Sequence, residues 1–258
     1  MLQLGMFLHK IDLAKKTAVF FLPMLSSPTK KKIPVIYEDK YYIVFNKPAD
    51  LTVHPPYSPK PRSKQTLIDV IAENYPDIIR NDLRNHGIVH RLDRETSGII
   101  LFSKNKKSND FFKKQFKERK VSKEYIAVLE GILSPKEGAI ESPIARDTKD
   151  GRKMKIAPRS RGRESITEYK VKKHFKKGIS SYSLVSVFPK TGRTHQIRVH
   201  FASLGHPVVG DKLYGGKGKL MAKRHMLHAY MLKIKTPDKK IHSFISELPN
   251  DILSFTKD

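Results

Sequence analysis

The chain has 258 residues, enough for one large domain or two small ones with a real core. It holds no cysteine, which excludes disulfides, iron–sulfur clusters, thiolate zinc sites and cysteine nucleophiles. Fifty-one basic residues against 25 acidic ones give a formal charge of +26. That self-repulsion is offset when the partner is a polyanion, nucleic acid first and an anionic membrane second.

In chain order, Lys15 and Lys16 precede an apolar run at 18–25, and Lys30 to Lys32 follow it. The run is too short to span a bilayer, contains Pro23 and lacks a small-residue cleavage site. Residues 1–32 therefore read as a flexible basic extension, or as sequence upstream of a start at Met24. Runs at 33–37 and 41–46 predict a hairpin, and Lys47-Pro48 ends the second strand. Four prolines in 54–64 predict a loop, and Thr66 offers a cap for a helix carrying Leu67, Val70 and Ile71.

Two short apolar runs, 87–90 and 98–102, flank a polar stretch and predict strand, loop, strand. Ser108 offers a cap for a helix with Phe111, Phe112 and Phe116 on one side and Lys113, Lys114, Lys117 and Lys120 on the other. A strand is expected at 123–131, then a long basic excursion with short strands at 134–163. Alternation predicts antiparallel strands at 165–171 and 182–188. A helix from about Thr194 should bury Ile197, Phe201 and Leu204 until Gly205 ends it. After a turn-rich loop, strands are expected at 226–234 and 242–245, and a closing helix at 248–255. The fold class is α+β, with a mixed, mainly antiparallel sheet and flanking helices and loops.

Two stretches carry candidate chemistry. In His90-Arg91-Leu92-Asp93-Arg94-Glu95, a carboxylate sits on a tight loop between buried strands, where function tends to lie. On spacing alone, Asp93 also reads as a surface partner of Arg91 or Arg94, or as a turn cap. In 189–200, a glycine turn enters a helix N-terminus lined by Arg193, Thr194 and His195, a seat suited to phosphate. The spacing of the histidines does not suit a metal, and they read as core or RNA-facing groups. No nucleophile elbow, nucleotide-binding glycine pattern or Walker loop is present.

The run Gly87-Ile88-Val89-His90-Arg91-Leu92-Asp93-Arg94-Glu95-Thr96-Ser97-Gly98 closely resembles the signature of RluA-type RNA pseudouridine synthases. Lys123-Glu124-Tyr125-Ile126-Ala127 resembles the family's next motif. So, in order, do Gly192-Arg193-Thr194-His195-Gln196-Ile197-Arg198-Val199-His200, the 206–215 stretch and Met226-Leu227-His228-Ala229. The resemblance runs from about Ile33 to Leu248 and implies the pseudouridine-synthase catalytic fold over 33–258. Many relatives carry a small helical RNA-binding module first. With 32 residues before Ile33, the catalytic domain is expected here without it.

The resemblance implies an isomerase that needs no metal or cofactor and acts on a flipped uridine of ribosomal or transfer RNA. Asp93 corresponds to the family's aspartate. It would act by adding to the anomeric carbon, by supporting loss of uracil to a glycal, or by attacking the base. Arg193 is expected to pair with Asp93. Tyr125 would pack on the uracil, with a possible part in removing the ring-carbon proton. Leu227 would form the wall beneath the base, and Arg91 would fill the vacated stack. Arg91, His90, Leu227, Lys113 and Lys117 form the expected RNA-binding set, aided by the 134–163 excursion and 217–224. The chain is expected to be a cytoplasmic monomer. A non-catalytic RNA-binding or ribosome-assembly factor is the first alternative, disfavoured because Asp93, Tyr125 and Arg193 are all present. A DNA-binding protein or nuclease is the second, disfavoured by the lack of a metal-binding carboxylate cluster.

Overall fold

A computed structural model describes residues 32–54, 65–76, 78, 87–216 and 220–257. The expected features at 1–31 and 55–64, and those at 217–219, lie outside the described residues.

The expected α+β architecture is present. Eight strands run in the order β1 (Val35–Glu38), β2 (Tyr42–Lys47), β3 (Ser97–Ser103), β10 (Leu227–Lys235), β4 (Ser122–Glu130), β9 (Ser180–Pro189), β8 (Ile166–Lys177) and β5 (Glu137–Glu141), with β11 (Ile241–Ile245) also paired to β10. All these pairings are antiparallel except β3 with β10. The basic excursion folds into β5 and a separate two-stranded ribbon, β6 (Ile144–Arg146) and β7 (Met154–Ile156).

Strand alternation assigns four helices to two faces. On β2 and β3, Ile43, Phe45, Ile100 and Phe102 point to one side and pack against α1 (Leu67–Asn74). Tyr42, Val44, Ile99 and Leu101 point to the other and pack with Phe112 of α2 (Lys106–Lys117). The second half repeats the scheme. Ala127, Leu129, Val185 and Val187 meet α3 (Gln196–Ser203), while Ile126, Val128 and Leu184 meet α4 (Asn250–Thr256). One face thus carries two half-cores, and Tyr125 packs against both.

Local chemistry accounts for the helix starts. Thr66 and Asp69 form a reciprocal capping box on α1. On α2 the cap is Asn105, not Ser108. The Asn105 side chain accepts from Ser108 N at 2.9 Å, and the Ser108 hydroxyl donates to the Tyr41 carbonyl at 2.7 Å. Two further expectations are corrected. Residues 87–90 contribute only an isolated bridge, Ile88 to Phe102, because β2 lines one edge of β3 and β10 takes the other at Ser97 and Gly98. Leu204 stays 46 % exposed, because α3 has ended at Ser203.

The single parallel crossing among the described strands sets the spacing of the two halves. Gly98 has φ +107°, and a Cβ there would lie 2.2 Å from the Ala229 carbonyl oxygen. Only glycine allows that approach. Gly98→Ala is expected to cost at least about 2 kcal/mol, from backbone strain and overpacking together. The urea midpoint checks this; an unchanged midpoint would mean the crossing can widen freely.

Candidate active site

The loop before β3 is clamped from below. Lys47, fully buried at the end of β2, donates from Nζ to the carbonyls of Pro48 at 2.8 Å, Leu51 at 2.9 Å and Arg94 at 3.0 Å. Burial, then repulsion from Arg224, pushes its ammonium down to about 7. Arg224 donates to the Glu95 carbonyl at 3.1 Å and is anchored to Asp251 of α4 through two bonds of 2.7 and 3.0 Å. Thr96 and Ser97 meet His225 Nε2 at 2.8 Å and His228 Nδ1 at 2.9 Å, which ties the loop to β10.

Above the clamp stands Asp93, its side chain 19 % exposed. Its Oδ2 accepts from Arg198 Nη1 at 2.9 Å. Arg198 is itself gripped on its other edge by Asp211, with Nε to Oδ2 at 2.6 Å and Nη2 to Oδ1 at 2.9 Å. Asp211, fully buried, also accepts from the Leu213 and Tyr214 backbone N–H groups at 2.9 and 3.1 Å. The Tyr214 ring faces the guanidinium at 5.1 Å. Arg198 is thus a planar fork spent twice, once to be held and once to hold Asp93.

The charges follow. Burial pushes the Asp93 carboxyl up, while His195 and then Arg198 pull it down, and the net direction is down. Arg198 is the lasting cation of the two, since burial pushes His195 below its ordinary value. Asp211 is also pushed up by burial and pulled further down by its bonds from Arg198. Asp93 is therefore an ionised carboxylate at neutral pH, with Oδ2 engaged.

Two cavities meet at this carboxylate and share Arg91, Leu92, Asp93, His195 and Arg198. One, of about 270 Å³, adds the largely polar surroundings of Thr52, His54, Arg94, Glu95, Lys212 and His225. The other, of about 110 Å³, adds Tyr125, Leu227 and Ile197 together with polar groups, among them Lys123, Thr191, Arg193 and Gln196. Both cavities are of mixed character, and the smaller one brings the aromatic and aliphatic wall of Tyr125, Leu227 and Ile197 to Asp93.

Of the expected residues, Asp93, Tyr125, Arg91 and Leu227 come together at these cavities. Arg193 lines the smaller cavity, but its expected pairing is corrected. Its Nε donates to the Glu164 carbonyl at 3.0 Å, and the arginine on Asp93 is Arg198, five residues further on and inside α3. Arg94 pairs with Asp50 at 2.7 Å, not with Asp93. His90 is also placed differently from its expected RNA contact. Its ring stacks on Phe116 at 4.8 Å, its Nε2 accepts from Leu101 N at 3.0 Å, and burial pushes it down to about 3. Lys113 and Lys117 lie on α2 and line neither cavity.

A family model described as RNA pseudouridylate synthase matches residues 41–203. The chain belongs to the RNA pseudouridylate synthase family. It is 37 % identical over 232 residues to the ribosomal large subunit pseudouridine synthase D of Borreliella burgdorferi, covering 88 % of this chain and 69 % of that one. It is 40 % identical over 226 residues to an uncharacterised RNA pseudouridine synthase of Aquifex aeolicus, covering 84 % and 69 %. The solved structure of human RNA Pseudouridylate Synthase Domain Containing 1 matches with a TM-score of 0.70 at 30 % identity, over 86 % of both chains. The enzyme is accordingly an isomerase of the RluA type.

From sequence, no site role falls to Arg198, Asp211 or Tyr214, and His195 is placed at a phosphate seat without a link to Asp93. The helix of Arg198 offers no amphipathic clue: residues 196–201 are all buried, Gln196, Arg198 and His200 included. Gln196 is satisfied by Thr191, Arg193 N, Ile166 O and Thr167, and His200 by Thr167 and Ser142 O. A signal was nonetheless present, since a lone acid thirteen residues after Arg198 could serve as its counter-charge.

Asp211→Asn leaves a buried arginine with one carboxylate in place of two, and at pH 7 is expected to cost about 3–5 kcal/mol. The native Asp211 pKa is depressed, so its contribution is present above the unfolded value and lost as pH falls through the folded one. Chemical denaturation should show the gap to wild type closing below about pH 4, the ordinary aspartate range. A gap independent of pH would refute the assignment.

Proposed function

We propose that the enzyme isomerises a uridine of large-subunit ribosomal RNA, with Asp93 acting on the ribose of a flipped-out nucleotide. The observation that carries this reading is the asymmetry of Asp93. Oδ2 is bound by Arg198, and Oδ1 is left where a cavity walled by Tyr125, Leu227 and Ile197 meets one lined by Arg94, Lys212 and His225. Uracil suits the first cavity and the phosphate-bearing backbone the second, which brings the ribose between them to Oδ1.

In the reaction the N1–C1′ bond breaks, the uracil turns, and a C5–C1′ bond forms. C5 loses a proton and N1 gains one, so the product is an isomer. An ionised Asp93 is the form that can add to C1′ or support glycal formation. Leu227 and Ile197 give the detached base an apolar surface on which to turn. Burial and then the Asp93 charge push the Tyr125 phenol up, so it stays protonated at neutral pH, which favours packing on the base over removal of its proton. Arg91 is exposed beside Asp93, where its guanidinium can occupy the stack that the uridine leaves. Arg193 borders the smaller cavity as a second cation for the RNA.

Ribosomal RNA is favoured over transfer RNA by the charge of +26 and by the naming of the Borreliella burgdorferi relative as a large-subunit enzyme. Among the described residues no helix is long and apolar enough to cross a membrane. We place the enzyme in the cytoplasm, acting as a monomer.

The test is deletion of the gene followed by chemical mapping of pseudouridine in ribosomal and transfer RNA. One site in large-subunit RNA should be lost and restored by wild type. Asp93→Asn should lower turnover on that RNA by at least about 10³-fold. Full restoration by Asp93→Asn would end this mechanism, and a site lost from transfer RNA would correct the substrate.

A further inference from the structure

His195 stands beside Asp93 and is held in an unusual way. It precedes α3 with φ +55°, a left-handed backbone that few non-glycine residues adopt. Its side chain borders both cavities. Its Nδ1 lies 2.8 Å from the Tyr214 hydroxyl, and that hydroxyl accepts from Met154 N of β7 at 2.7 Å. A backbone N–H can only donate. With the Tyr214 oxygen already accepting from Met154, its own proton is satisfied when it is donated to His195 Nδ1, the second partner within reach. In that arrangement Nδ1 is the acceptor of the ring, and in the neutral imidazole the ring proton sits on Nε2. Burial holds the ring below its ordinary titration range, which keeps it neutral at pH 7.

Nε2 faces Asp93 Oδ1 at 4.0 Å. That is too long for a hydrogen bond between them. A hydroxyl that accepts at about 2.9 Å and donates at about 2.7 Å, with an angle from about 90° to tetrahedral, spans about 4.0–4.6 Å. The pair is spaced for one bridging hydroxyl. On a ribose within an RNA chain, the 3′ and 5′ oxygens are esterified and the ring oxygen cannot donate. The 2′-hydroxyl, one carbon from C1′, is the only group that can both accept from Nε2–H and donate to Oδ1.

We propose that His195 is a positioning and specificity-determining residue. In this role its Nε2–H, set by the Met154–Tyr214 chain, holds the 2′-hydroxyl of the target nucleotide against Asp93 and selects ribose over deoxyribose. The inference rests on the ribose reading of Asp93. It also gives the β6–β7 ribbon a task, since Met154 of that ribbon fixes which nitrogen of His195 carries the proton.

The test uses a synthetic fragment of large-subunit RNA carrying the uridine lost on deletion, with ribose or 2′-deoxyribose at that one position. Affinity is read by stopped flow ahead of turnover. Wild type and His195→Gln, whose amide can place a donor near Nε2, should prefer ribose by about tenfold, the worth of one well-made hydrogen bond. His195→Asn keeps a group near Nδ1 only and suits a left-handed backbone, so lost preference there is not a matter of strain. It should bind both RNAs alike. A ribose preference that survives in His195→Asn, or is absent from wild type, overturns the proposal. The ¹⁵N shifts of His195 in wild type give a readout independent of any variant's folding: a protonated Nδ1 refutes it. If wild type makes no pseudouridine in the ribose fragment, the functional reading fails and this one with it. If it does and the preference ignores His195, this one fails alone.

Discussion

Arg198 joins two carboxylates that lie far apart in sequence, and its side chain is 6 % exposed. A buried guanidinium is costly unless its charge is matched and its donors are used. Asp211 supplies the match: its two oxygens meet two nitrogens of the fork, and its Oδ1 also takes the backbone N–H groups of Leu213 and Tyr214. With Arg198 fixed in that way, the remaining Nη1 has one direction, toward Asp93. The ionisation and aim of Asp93 follow from this placement.

The fold delivers the two partners to each other. Asp93 comes from the half of the sheet packed on α1, and Arg198 from the helix packed on the other half. The halves share the β3, β10 and β4 strands, and Tyr125 sits at the seam of both cores. Gly98 sets how closely β3 can approach β10, so it also sets how Asp93 stands to Leu227. The buried Lys47 and the Arg224–Asp251 pair hold the Asp93 loop through the Arg94 and Glu95 carbonyls, so the loop is fixed without using the Asp93 side chain.

Much of this was legible in the sequence. Apolar alternation located β2, β8 and β9, glycine and proline marked the turns, and the ordered motifs pointed to Asp93, Tyr125 and Leu227, which the fold brings to one cavity. Failures came where polar groups are buried. A helix that buries Gln196, Arg198 and His200 has no polar face, so periodicity could not say which arginine points inward. The resemblance assigns Arg193 to Asp93, and its place on a glycine turn at a helix start suits an anion equally well. The structure gives that turn to the Glu164 carbonyl and to Gln196. His90 belongs to the key motif, which suggests an RNA contact, but its neighbour in space is Phe116, some 26 residues on, and no local pattern announces that stacking. Hydrogen-bond chains such as Met154–Tyr214–His195 join three separate segments and become visible only when the ribbon is packed on the helix.

The most direct measurement is the titration of the Asp93 carboxyl by ¹³C NMR, in wild type and in Arg198→Gln. The account predicts that Asp93 in wild type titrates below the ordinary aspartate value and moves upward when Arg198 is replaced, since burial then acts with less opposition. An Asp93 that titrates at or above the ordinary value in wild type, or that does not move upward without Arg198, would contradict it.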